Sequence, residues 1–354
     1  MKAPSPGPRL VGWLHQQWQH KGLWAWLTSP FSLLAFIVLS LRRVLLRSIA
    51  ECTTRAPVPL IVVGNLYIGG TGKTPIVIAI LEELRAKGWR PGVISRGYGV
   101  RAGSEARTGS GALDPSHFGD EPALIAQESG APISVHPNRR LAWQALMQAY
   151  PQTDVIVSDD GLQHATLMRD IELLVQDVRG VGNGWLLPAG PLRDPPSRLR
   201  TVDALITRLT ETQIAPPSLN LAPKELVARM RISGFQQMQS GQRLDPSQFL
   251  QFCKNKSLAA FAGIGAPERF FADLRALGLQ VPLTTALPDH CAFNANTLDA
   301  PEADLVLITS KDAIKCNLLL DSKIWVAQTH STFSDPSFAD WLHERLRRIQ
   351  TALR

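Results

Sequence analysis

The chain has 354 residues, 45% of them apolar and 19% charged, which excludes intrinsic disorder and allows two compact units or one unit with an appended segment. Lys and Arg outnumber Asp and Glu by 37 to 30, with an isoelectric point near 9.5, so an anionic partner such as phospholipid, a phosphorylated substrate or nucleic acid is expected. The four cysteines, Cys52, Cys253, Cys291 and Cys316, form no C-x-x-C pair, which argues against a structural zinc site and for reduced thiols in a cytosolic setting.

Residues 1–55 differ from the rest. No charge lies between Lys21 and Arg42, and Trp13, Trp18, Trp24 and Trp26 precede residue 27. Tryptophan favours the membrane interface. "TSPFSLLAFIVLSLRRVLLR" predicts a helix with Ser29 as N-cap and Pro30 at its first position. Its wholly apolar part, Leu33 to Leu39, falls well short of a hydrocarbon core of ~30 Å at ~1.5 Å per residue, so it is expected to lie in one leaflet. Arg42, Arg43 and Arg47 then read as an amphipathic continuation meeting anionic headgroups. The rivals are a cleaved signal peptide, against which the three arginines before Ser48-Ile49-Ala50 count, and a helix buried on the protein's own body.

From residue 56 the pattern alternates strand and helix. Leu60 to Val63 predicts a buried strand, a glycine loop follows, and Ile76 to Lys87 predicts a helix stopping at Gly88. "RPGVIS", "DVIVSDD", "IELLVQD" and "DALITR" add strands, giving an α/β, P-loop NTPase-like parallel sheet whose ligands sit beyond the carboxyl ends. The stretch from Gln213 to Leu250 carries one strand, "ELVARMRI", and a smaller second α/β domain follows. The expected organisation is 1–55 membrane-associated segment, 56–235 nucleotide-binding domain and 236–354 C-terminal domain closing over a cleft.

The loop "NLYIGGTGKTP" departs from G-x-x-x-x-G-K-[ST], because Tyr67 stands at the first glycine. Tyr67, Ile68, Gly69, Gly70, Thr71 and Gly72 are nonetheless the expected nucleotide cradle, its glycines permitting backbone N–H groups to point inward; Lys73 can reach the terminal phosphates and the Thr74 hydroxyl can ligate Mg²⁺. In "DVIVSDDGLQH", Asp159 and Asp160 follow a strand, where a carboxylate can hold that Mg²⁺, and His164 adds more than metal binding alone demands. "GDEP" places Asp120 and Glu121 in the first turn of a helix, either as simple dipole partners or as a base for a hydroxyl nucleophile beside a metal-facing acid. Arg96, Arg139, Arg140 and Arg193 are candidate anion-binding side chains. Asp289 and His290 sit in a loop of the second unit, where His290 could tune an acid across a shared cleft.

Eight motifs, "GGTGKTP", "SRGYG", "GDEP", "DDGLQH", "PAGPLR", "GIGAPERF", "PDH" and "SKDAIKC", occur in the order found in the tetraacyldisaccharide 4'-kinase family, which this sequence resembles over most of its length. The resemblance implies ATP with Mg²⁺ as donor and transfer to the 4'-hydroxyl of a lipid disaccharide 1-phosphate, giving the 1,4'-bisphosphorylated lipid A precursor at the cytoplasmic face of the inner membrane. It further implies a catalytic pair of Asp120 and His290, phosphate and metal roles for Lys73 and Thr74, an acidic motif of Asp159, Asp160 and His164, and a substrate arginine at Arg193. Asp194 stands where the family usually has glutamate, and Cys291 where histidine or tyrosine is commoner. The alternative is a membrane-docked ATPase switch or partitioning-type ATPase; Ile68 stands where such proteins carry lysine. A nucleic-acid partner is not expected, since the basic residues form no stripe with interleaved aromatics. The expected state is a monomer.

Overall fold

The computed structural model describes residues 13–14, 16–48, 55–98, 100, 103–164, 166–218, 220–288, 291, 293, 295–316 and 321–353. Among the described residues thirteen strands form a single sheet: β1 (Leu60–Gly64), β2 (Pro91–Ser95), β3 (Arg107–Gly109), β4 (Ile133–Val135), β5 (Val155–Asp159), β6 (Ile171–Gln176), β7 (Ala204–Thr210), β8 (Glu225–Gln237), β9 (Arg243–Leu244), β10 (Leu258–Ala262), β11 (Leu283–Ala286), β12 (Leu305–Thr309) and β13 (Ile324–Phe333). Their order is β11-β10-β12-β13-β8-β7-β6-β1-β5-β2-β4-β3, with β9 beside the far half of β8. β1, β5 and β7 are buried along their whole length, which is why they read as continuous apolar runs rather than alternating ones.

The sheet contains two parallel sets of opposite sense. From β4 through β8 the pairings are parallel, β8 pairs antiparallel with β13, and β13, β12, β10 and β11 are again parallel to one another. β7 ends at Thr210 beside Met230 of β8. β12 ends at Thr309 beside Ala327 of β13, which in turn pairs with Phe235. The carboxyl ends of the two sets therefore face each other across about five residues of β8, ~17 Å of strand. A register shift at Gln328/Thr329 falls within that span.

The predicted division is only partly how the chain packs. Helices Lys73–Ala86 and Asp120–Ser129 cover one face of the first unit, and helix Phe338–Leu353 returns to join them, with Phe338, Leu342 and Leu346 in the same apolar cluster as Ile61, Val63 and Ile80. The end of the predicted C-terminal domain thus belongs to the core of the first. Helix Arg139–Ala149 covers the opposite face. In the second unit, helices Pro246–Phe252 and Pro267–Ala276 cover one side of β10, β12 and the start of β13.

The N-terminal helix differs from expectation. It runs from Leu23 to Ser48 and passes through Pro30 instead of starting there. A proline within a helix leaves the carbonyl four residues earlier without its N–H donor; the Ser29 hydroxyl donates to that carbonyl, Trp26 O, at 2.8 Å. The apolar stretch consequently extends over 19 residues, Leu23–Leu41, ~28 Å of helix, long and apolar enough to cross a membrane. Nor is it buried on the body: only 11% of that stretch is buried. One line of it does dock. Ala25 and Ser32 are buried, and the Ser32 hydroxyl donates to Leu186 O at 2.8 Å and accepts from Ala189 N at 3.0 Å. The side chains of Arg42, Arg43 and Arg47, expected at headgroups, lie outside the described residues.

The core of the second unit rests on an aromatic stack. Phe249 is fully buried, its ring 3.9 Å from that of Phe235 and 5.1 Å from that of Trp325. Phe249→Ala should destabilise this unit by about 3–5 kcal/mol, read as a lowered denaturant midpoint.

Candidate active site

β1 delivers the chain into the loop Asn65–Gly72, and helix Lys73–Ala86 starts at its end. Gly72, the N-cap, is in the left-handed region at φ 74°, and no side chain caps the helix. The first N–H groups and the positive end of the helix dipole are left for an anion. The Thr71 hydroxyl oxygen is buried without a hydrogen-bond partner, a further polar group to be satisfied there. Two residues expected in this cradle have other partners. Ile68 N–H donates to Pro191 O at 2.8 Å, and the Tyr67 ring is buried beneath the Arg179 guanidinium, 4.3 Å from the ring centre.

Lys73, half-buried and directly after that N-cap, and the acidic loop converge. Lys73 Nζ donates to Asn65 Oδ1 at 2.9 Å and pairs with Asp160 Oδ1 at 3.1 Å. Arg193 Nη1 reaches the other Asp160 oxygen at 3.4 Å. Asp160 occupies the left-handed region at φ 51°, uncommon for a non-glycine residue and a strain the loop retains to aim this carboxylate. Burial pushes its carboxyl up, but Lys73 and Arg193 outweigh burial and hold it below the usual range. Thr74 is 9% exposed, in the first turn after the loop.

Asp159 behaves oppositely. It ends β5, is buried, and accepts from the Ser95 hydroxyl at 3.2 Å, while its Oδ1 has no partner. Burial, and next the nearby Glu121 carboxylate, push its carboxyl up to about 7. Glu121 and Asp120 begin helix Asp120–Ser129, as expected, and Lys311 Nζ from the second unit stands 3.6 Å from Glu121 Oε1 across the cleft.

The predicted substrate arginines separate. Arg193 faces the site, and Arg96 is exposed at the end of β2, lining a small pocket with Gly97, His136 and Pro137. Arg139 is 3% exposed and donates to His136 O at 3.0 Å and Asp159 O at 3.3 Å, beneath the acidic pair rather than at its mouth. Asp289 and His290 lie outside the described residues. Asn65, which holds Lys73 while its own carbonyl accepts from Gln163 Nε2 at 3.1 Å, was not singled out from the sequence, although it is the first residue of the glycine-loop motif. Lys311 belongs to the "SKDAIKC" motif, but only folding places it against Glu121.

A glycine loop at a strand–helix junction, with its lysine bound to an aspartate at the end of the adjacent strand, defines a phosphate-loop nucleotide-binding enzyme. A family model described as Tetraacyldisaccharide-1-P 4'-kinase matches residues 24–347. The chain is 48% identical over 351 residues to a tetraacyldisaccharide 4'-kinase of Bordetella petrii, covering 98% of this chain and 99% of that one. It is 41% identical over 350 residues to that of Dechloromonas aromatica, covering 97% of this chain and 100% of that one. A crystal structure of LpxK from Aquifex aeolicus in complex with ATP is similar at a TM-score of 0.77 and 26% identity, covering 92% of this chain and 99% of that one. The chain belongs to the tetraacyldisaccharide-1-phosphate 4'-kinase family. Membership favours a kinase over a partitioning-type ATPase.

Burial, then Arg139, Arg96 and Arg169, push the His164 imidazole down to about 4. The native histidine stays neutral while an unfolded one takes a proton near pH 6.5, so its contribution is complete above about 6.5 and lost as pH falls toward 4. Denaturant melts at pH 7.5 and 4.5 should show a smaller acid loss of stability in His164→Gln than in the wild type.

Proposed function

We propose that this protein transfers the γ-phosphate of ATP to the 4'-hydroxyl of a tetraacyldisaccharide 1-phosphate. The observation that carries this reading is the convergence of the uncapped helix start, Lys73, Arg193 and the acidic pair at one sheet edge, in a chain of this family. Such transfer passes through a loose, metaphosphate-like state that needs positioning and charge neutralisation more than covalent chemistry. Lys73 is held by Asn65 and Asp160, which aims it beside the loop. Asp120, at the start of its helix, is the base that takes the hydroxyl proton. His290 is assigned from its sequence motif to orient that base. Arg193 would bind the acceptor, with Arg96 at the rim, and Arg139 anchors Asp159 from below.

Among the described residues no cluster of three or more His, Cys, Asp or Glu could hold a metal alone. The donor set suits Mg²⁺ brought in with a nucleotide, since that ion keeps waters and phosphate oxygens and needs few protein ligands. Thr74, Asp160 and Glu121 would hold it, and the bound ion would neutralise charge on the terminal phosphates. Asp159, unpartnered at one oxygen, is poised beside them.

With γ-labelled ATP, Mg²⁺ and the lipid in detergent micelles, label should appear in the lipid and be lost in Lys73→Ala. Asp120→Ala should lower kcat at least a hundredfold with little change in ATP affinity. Label only in free phosphate, unaffected by lipid, would overturn the reading.

The same proposal places the enzyme, as a monomer, on the anionic cytoplasmic face of the inner membrane, its acceptor being lipid and no nucleic acid being involved. Twelve of the nineteen exposed large apolar side chains among the described residues lie on helix Leu23–Ser48, so its free side is the apolar surface in need of a partner. Its other side is fastened to the segment leading to Arg193, an attachment that would hold the site near the headgroup plane. Removing residues 1–48 should shift the protein from floating vesicles of anionic phospholipid to the soluble fraction; continued flotation would assign anchoring to another surface.

A further inference from the structure

We propose that Arg208 binds the nucleotide's phosphates, from the side of the glycine loop opposite to Lys73. The proposal rests on the ATP-dependent reading above and adds a residue to it. Arg208 lies near the end of β7, two strands from β1, whereas Lys73 reaches toward β5 on the other side. Its side chain is 6% exposed and packs directly on the loop. A β-carbon on Gly72 would stand 2.6 Å from Arg208 Cδ and 3.0 Å from Nη1, so only glycine admits this contact.

What the guanidinium lacks is an acceptor. Its Nε is buried without a hydrogen-bond partner. The charged groups around it are Asp177 and Arg179 at the end of β6, and Arg269 and Asp273 on helix Pro267–Ala276 of the second unit. Asp177 is already claimed: Arg179 Nε donates to both of its oxygens at 3.0 Å, and Arg269 Nη1 to Oδ2 at 3.2 Å. Arg179 also donates to Gly70 O at 2.9 Å. Three guanidinium groups thus share two carboxylates beside a loop built to hold anions. A buried charge without its partner is costly, and breaking even one such pair is strongly destabilising. Polyphosphate oxygens at the loop would supply the missing acceptor and the missing negative charge, and a planar fork suits them.

The test uses the full-length chain in detergent micelles, with displacement of a fluorescent ATP analogue by ATP and, separately, by inorganic tripolyphosphate, and with thermal melting without nucleotide. Arg208→Gln should weaken ATP and tripolyphosphate by the same factor, about tenfold or more. Arg208→Lys should recover part of the loss, and the nucleotide-free melting temperature should not fall. Unchanged affinities, whether or not the melting temperature falls, would overturn the proposal; so would a loss for ATP without one for tripolyphosphate, which would assign Arg208 to base or ribose. Failure of the wild type to bind ATP would instead overturn the nucleotide reading, which the lipid-labelling assay reports independently.

Discussion

A parallel sheet offers its ligand-binding loops at one edge only, so two such sheets can share a site only when their carboxyl edges are turned toward each other. The antiparallel pairing of β8 with β13 imposes that arrangement. β8 is long enough to serve as the last strand of one parallel set and to run on as the partner of the other. Without it, the glycine loop and acidic pair of the first unit would open to solvent, and Lys311, Arg269 and Asp273 would have nothing to face. Arg269–Asp177 and Lys311–Glu121 are two ion pairs that this geometry brings together.

Charge inside the cleft is arranged by position. Asp159 and Asp160 are adjacent in sequence and titrate in opposite directions because β5 ends between their environments. Asp159 completes the buried strand, whereas Asp160 turns through a left-handed conformation to meet Lys73 and Arg193. Burial raises the pKa of the first carboxyl, and Lys73 and Arg193 outweigh burial and lower that of the second. The other side of the loop, with Arg179 and Arg208, is basic, and those guanidinium groups would balance the charge of a polyphosphate there.

The N-terminal helix is coupled to the same machinery through one short segment. Ser32 holds Leu186 and Ala189, the Trp18 indole donates to Pro188 O at 2.9 Å, and a few residues later Arg193 N donates to Leu66 O at 2.8 Å beside the glycine loop. The apolar N-terminal helix and the placement of Arg193 are thus parts of one packed layer.

Much of this was legible in the residues. The buried strands announced themselves as apolar runs, the glycine loop as a motif between strand and helix, and the acidic pair as carboxylates after a strand, because each of these is a local pattern with a local cause. The helix start at Leu23 was not legible, since Pro30 ordinarily marks a first turn, whereas here the helix passes it and the Ser29 hydroxyl serves the Trp26 carbonyl that Pro30 cannot. Helix Phe338–Leu353 was not singled out from the sequence, and which unit receives its apolar face depends on chain crossings that no local pattern encodes. Arg139 and Arg208 show the same limit: an arginine in a sequence is an anion-binding candidate or a surface charge, and burial beneath Asp159 or against Gly72 is decided by what packs over it. By itself the sequence determined the longer buried strands and the glycine-loop motif, because these rest on periodicity and spacing along the chain, and it pointed to the family through the resemblance of its ordered motifs. The tertiary structure alone decided which charges face one another, because Coulomb interactions and burial depend on distances between residues far apart in sequence.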